Sequence, residues 1–122
     1  LVTVKGLEGG TDLPIGRACI TATVKSGDAV RKILHPRDHG CHEQDVEWSD
    51  LDNWIVEAKQ ALKNQGPLRC ALRWNTGVYI WFSGRATSLE DGIQRAETLL
   101  NEGKALDVLD QLVTWRRPLA IR

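Results

Sequence analysis

The stretch 67–83 is apolar on nearly every side of a helix, with Leu68, Ala71, Leu72, Trp74, Val78, Tyr79, Ile80, Trp81 and Phe82. A helix with no polar face has to be buried, in this chain or against further protein, so other elements must pack around it. Gly77, in its middle, costs a helix roughly 1 kcal/mol relative to alanine. Close packing of a neighbouring backbone is the reading that accounts for a glycine there. Pro67 suits the first turn, and Gly84 closes the helix.

The rest of the chain divides near residue 48, into a strand-rich part (1–47) and a helical part (48–117). Leu1 to Lys5 is β-rich and is broken by Gly9-Gly10. Ala18 to Val24 is a second β-branched run, ended by Ser26-Gly27-Asp28, and Val30 to Leu34 is a weaker third, stopped by Pro36. A loop is expected over 36–47. Ser49 with Asp52 reads as a capping box. It precedes Leu51, Trp54, Ile55, Ala58 and Leu62, one apolar face at helical spacing. Ser88 with Asp91 caps a further helix carrying Leu89, Ile93, Ala96 and Leu100, which Gly103 ends. Leu106, Leu109 and Val113 mark the last. The expectation is an α/β fragment: strands near 1–5, 18–25 and 30–35, and helices near 49–64, 67–83, 88–102 and 104–115.

At 122 residues, 42% hydrophobic with five tryptophans, the chain is one domain or part of one. It opens on Leu1-Val2-Thr3-Val4 without methionine, which reads as a strand interior and suggests a longer protein. No apolar run is long enough to span a membrane. Sixteen basic residues balance sixteen acidic ones, which argues against a dedicated nucleic-acid or membrane-surface binder. Acids gather between Glu43 and Glu57, and the tail carries Arg116, Arg117 and Arg122. Cys19, Cys41 and Cys70 are odd in number and unpatterned, which predicts reduced thiols in a cytoplasmic protein.

Candidates for chemistry are sparse. His35, His39, Cys41 and His42 crowd into HPRDHGCH. Structural zinc usually takes two pairs of ligands from separate segments, so a polar loop is the better reading. Among the carboxylates Glu8, Asp12, Asp45 and Glu47, the first two stand out because they flank Gly9-Gly10 just after a strand. Neither a dinucleotide fingerprint nor a Walker sequence is present, and no nucleophile elbow supports a hydrolase.

The segment Trp74–Leu112, WNTGVYIWFSGRATSLEDGIQRAETLLNEGKALDVLDQL, resembles the C-terminal end of anthranilate phosphoribosyltransferases. There a buried helix beginning with Asn ends in Gly, a capped helix follows, and a Gly-Lys-Ala-Leu turn leads into a last Leu-rich helix. LHPRDHG resembles the family's strand followed by a Pro-Glu-Asp-Phe-Gly turn, a place where the family has no metal ligand. The resemblance covers essentially the whole chain. It implies the C-terminal portion of a class IV phosphoribosyltransferase-like α/β domain, about three strands followed by about four helices. It also implies a phosphoribosyltransferase (glycosyltransferase) parent of tryptophan biosynthesis. In that family phosphoribosyl pyrophosphate sits with magnesium in a cleft between a helical domain and the larger domain, and anthranilate displaces pyrophosphate. The Gly-rich loop, the Lys-His-Gly-Asn loop and the helical domain through which members form homodimers all precede the part seen here. No catalytic residue is therefore assigned, and the fragment alone is expected to be inactive.

One family motif should fall inside this chain, a His-Gly strand end leading to Asp-Gly-Leu-Asp-Glu, whose last two acids bind magnesium. Here Lys5-Gly6 replaces His-Gly, Glu8-Gly9 replaces Asp-Gly, and Thr11-Asp12 replaces Asp-Glu. The resemblance thus implies metal contacts at Asp12, Glu8 and Thr11, and phosphate or nucleic-acid contacts at Lys5 and Arg17. A threonine hydroxyl can ligate magnesium but does not neutralise its charge, so the site is weakened. The Lys-Gly-Leu-Glu-Gly stretch resembles a divergent branch that keeps the fold without the activity and includes nucleic-acid-binding homodimers. Two readings stand: an enzyme transferring phosphoribose, and a non-catalytic nucleic-acid binder.

Overall fold

A computed structural model describes residues 2–4 and 10–117. Lys5 and Glu8 therefore lie outside the described residues. Three strands come first: β1 (Val2–Val4), β2 (Cys19–Lys25) and β3 (Asp28–Leu34). They form one antiparallel sheet in the order β1-β2-β3, with Val4 opposite Thr21 and Cys19 opposite Leu34. The turn between β2 and β3 is only Ser26-Gly27, since Lys25 pairs with Asp28. Both turn residues have positive φ, 53° and 89°, the geometry that matches the twist of a two-residue hairpin. A short 3-10 turn, Pro36–His39, interrupts the expected loop.

Four helices follow: α1 (Leu51–Ala61), α2 (Arg69–Phe82), α3 (Leu89–Asn101) and α4 (Lys104–Arg116). The element order is the one the sequence predicts. The cap of α1 differs. Asp50, not Ser49, accepts the backbone N–H of Asn53 at 2.9 Å, and a carboxylate at that position also opposes the positive helix end.

The core sits where α2 lies between the sheet and α3. Trp74 and Val78 are fully buried against Leu13, Ile15, Cys19, Leu34, Leu89 and Ile93. The backbones of α2 and α3 meet at Gly77 and Gly92. A Cβ on Gly77 would lie 2.7 Å from Cα and Cγ1 of Ile93, so the expected close approach is what makes glycine necessary. Lys32 on β3 adds a cation over the Trp81 ring at 4.5 Å. The apolar stripe of α1 behaves differently from expectation. Leu51 (59%), Trp54 (45%) and Ile55 (37%) are exposed, and within the helix only Ala61 is buried. Val113 of α4 is exposed as well, while Leu106 and Leu109 are half-buried.

The cap of α3 is as the sequence reads it. Ser88 Oγ accepts from Asp91 N at 3.1 Å, and Asp91 accepts from Thr87 N at 3.0 Å and Arg95 Nε at 2.9 Å. The Arg95 hydrogen bond first, then the Thr87 N–H, holds the Asp91 carboxyl below its ordinary value of 3.8. A depressed carboxylate contributes stability above its unfolded value and loses it as pH falls through the lower folded one. Asp91→Asn should therefore flatten the loss of stability on acidification below pH ~4 while slightly lowering stability at neutral pH. Urea midpoints across that range check it. An unchanged acid slope would show that the cap carries no linkage.

Candidate functional site

After β1 the chain turns through a short buried plug. Leu13, Pro14 and Ile15 are buried, while Thr11, Asp12 and Arg17 on either side are exposed. Burying a non-helical, non-sheet backbone leaves polar groups that need partners, and side chains from distant elements supply them. Asn75 of α2 accepts Leu13 N at 2.7 Å and donates to Leu13 O at 3.0 Å. It thereby imitates a strand partner for one residue. Asp45 accepts Ile15 N at 2.8 Å and Gly16 N at 3.3 Å. The Tyr79 hydroxyl donates to Thr11 O at 2.7 Å. The Thr11–Gly16 turn is thus clamped by α2 on one side and by the loop before α1 on the other.

Asp12 stands where two cavities meet. One, of about 370 Å³, is mostly apolar and is walled by Trp54, Leu62, Leu68 and Leu72, with Asp12, Asp45 and Asn75 at its polar end. The other is an open groove of about 550 Å³ lined by Asp12, Thr76, Tyr79, Ser83 and Arg85. The groove offers one carboxylate, one guanidinium and three hydroxyls, a set able to hold a phosphorylated ligand with or without a cation.

The structure brings some of the sequence candidates together and separates others. Thr11 and Asp12 are adjacent and exposed. Arg17 lines a different pocket, with His35, Arg37 and Asp38. Asp45, a candidate acid from the sequence, spends both oxygens on backbone amides. Among the described residues no three His, Cys, Asp or Glu side chains gather as a metal set. Thr11 and Asp12 are thus the described donors, and they fit magnesium only as a minority of its ligands, the rest coming from phosphate and water. Within HPRDHGCH, His35 and His42 are exposed and Cys41 is buried, while His39 stacks on Trp74 at 5.7 Å and lies 3.5 Å from Glu90.

The expectation of three reduced thiols needs correcting. Cys41 and Cys70 are joined in a disulfide, with Cα atoms 6.0 Å apart, and Cys19 is the free one. Burial pushes the Cys19 thiol up to about 11, which makes it inert. The sequence reasoning also missed Asn75 and Tyr79. The signal available was a polar amide and a phenol inside a mostly apolar helix.

No family model matches the chain. Individual curated proteins do. An anthranilate phosphoribosyltransferase from Acidovorax sp. (strain JS42) is 30% identical over 124 residues, covering 98% of this chain and 36% of that protein. One from Chlamydia felis (strain Fe/C-56) is 32% identical over 103 residues, 81% of this chain and 30% of its own length. One from Xanthomonas axonopodis pv. citri (strain 306) is 26% identical over 125 residues, 99% and 36% respectively. The chain spans about a third of the length of these relatives. Among the described residues no helix is long and apolar enough to cross a membrane.

Proposed function

Given that the chain is a divergent member, or a fragment, of the anthranilate phosphoribosyltransferase family, we propose that its parent protein binds phosphoribosyl pyrophosphate with magnesium and transfers phosphoribose to an acceptor. The chain described here contributes the Thr11–Asp12 turn and is inactive alone. The observation that carries the reading is the clamp. Asn75, Asp45 and Tyr79 hold the backbone of the turn, and the exposed Asp12 stands at the mouth of a groove that Arg85 also lines. Magnesium, when bound, would neutralise the departing diphosphate. Asp12 would hold one of its positions, the Thr11 hydroxyl would orient without adding charge, and Arg85 would take a phosphate oxygen. Partnership of two parent chains through the family's helical domain and a cytoplasmic location belong to the same proposal.

A second reading is favoured by Thr11. With one carboxylate where the family motif has two, metal affinity and turnover both fall, and a paralogue that binds nucleic acid without catalysis becomes the alternative. The test is pyrophosphate release by the full-length parent from phosphoribosyl pyrophosphate and anthranilate, with binding of short single-stranded DNA at two salt concentrations. Turnover with anthranilate should be low. Asp12→Asn should remove at least about a hundredfold of any magnesium-dependent rate, and Thr11→Asp should raise it. No turnover with salt-sensitive DNA binding would favour the paralogue. Turnover indifferent to Asp12→Asn would remove the turn from the mechanism.

A further inference from the structure

We propose that Cys41–Cys70 is a reversible thiol–disulfide site whose oxidised form braces the turn carrying Thr11 and Asp12. The disulfide joins the two elements that make the clamp. Cys41 lies four positions before Asp45, which holds Ile15 and Gly16, and Cys70 lies in the helix whose Asn75 holds Leu13. Besides this bond the loop is fastened to α2 by the His39–Trp74 stack, by Arg73 Nη2 on Gly40 O at 3.2 Å and by Arg69 on Glu43 at 3.2 Å. The Arg69–Glu43 pair is half-exposed on both sides and contributes little. Once the bond breaks, the Arg69–Glu43 pair is, among the described residues, the one polar tie to α2 between Cys41 and Asp45.

A polar pocket of about 170 Å³, lined by Arg69, Arg73, Glu43, Glu97 and Cys70, adjoins the bond, whose two cysteines are 1% and 3% exposed. The Arg73 guanidinium, which also lines that pocket, lies 3.9 Å from Cys41 Sγ. Once local opening uncovers Cys70 Sγ, the thiolate of a small dithiol attacks it. The sulfur–sulfur bond breaks, and Cys41 leaves as a thiolate beside Arg73, where positive charge stabilises it. The second thiol of the reductant then attacks the mixed disulfide and releases Cys70. Two electrons pass from the dithiol to the protein, the reductant closes as a cyclic disulfide, and the two cysteines take up the protons. The proposal is independent of what the groove beside Asp12 binds.

The first measurements use the chain itself, without substitution. After equilibration with glutathione disulfide, denaturation and alkylation should add one adduct, at Cys19. After dithiothreitol it should add three. Amide hydrogen exchange read on both forms should show Ile15 and Gly16 exchanging roughly tenfold faster when reduced, with α3 amides unchanged. Arg73→Gln should slow reduction by dithiothreitol roughly threefold or more while the oxidised fold stays intact. Three adducts after oxidising equilibration would overturn the proposal. So would equal exchange at Ile15 and Gly16 in the two forms. Faster exchange throughout α3 as well would also overturn it, because the bond would then be a global staple and not a local brace.

Discussion

Gly77→Ala is expected to lower stability by about 3 kcal/mol, even though alanine is the better helix former. The intrinsic gain is roughly 1 kcal/mol. Against it stands a methyl carbon placed 2.7 Å from Ile93 Cα and 2.9 Å from Ile93 N. These are main-chain atoms of another helix and cannot rotate aside, so α2 and α3 must separate. That separation loosens Trp74, Val78, Leu89 and Ile93 together. In a domain of this size the loss should read as a fall in melting temperature on the order of 10–15 °C. Gly92→Ala probes the same contact from α3, where the added carbon would meet the Gly77 carbonyl. The double variant should therefore cost clearly less than the sum of the singles, because helices already apart have nothing further to lose. Simple additivity, or a stabilised Gly77→Ala, would refute the close-contact reading.

Asn75→Leu is expected to cost a comparable ~3 kcal/mol by another route. Leucine has the same branching at Cγ and the same number of side-chain heavy atoms, and it suits the apolar surroundings. It leaves Leu13 N and Leu13 O without the partners they now have at 2.7 Å and 3.0 Å, at a residue only 1% exposed. Two buried, unpaired backbone groups are worth about 1–3 kcal/mol each. Asn75→Asp separates the two hydrogen bonds. An ionised carboxylate keeps the acceptor for Leu13 N but sets negative charge against the carbonyls of Leu13 and Ala71, both of which now accept from Nδ2. Protonation restores a donor, so the deficit of this variant should shrink as pH falls through the titration of the new carboxyl. Denaturant midpoints across acidic pH check it. A deficit that stays constant or grows would mean the amide nitrogen does not matter.

The sequence disclosed what is local. Gly77 announced a close approach, Ser88 and Asp91 announced a cap, and Ser26-Gly27 announced a reversal, because each depends on residues within a turn or two. The clamp was not legible. Asn75 and its partner Leu13 are separated by 62 positions, and Asp45 and Ile15 by 30, and no periodicity links such pairs. Asp45 was visible only as one carboxylate among several, with nothing to show that its oxygens would be spent on amides. Cys41 and Cys70, 29 apart, looked unpaired for the same reason. The stripe on α1 shows the opposite failure. Helical spacing predicts an apolar face, but not whether this chain supplies anything to cover it.

Tyr79 is the sole tyrosine of the chain, and its hydroxyl rests on the Thr11 carbonyl. The turn therefore carries its own isotopic address. With ring-labelled tyrosine the spectrum holds a single aromatic spin system, free of assignment ambiguity. Its chemical shift reports directly on whether Thr11 is in place. A phosphate ligand or a divalent cation arriving at the neighbouring carboxylate would be seen as a displaced line, titratable to an affinity without any enzymatic assay. A ligand that docks elsewhere on the molecule would leave that line where it stands.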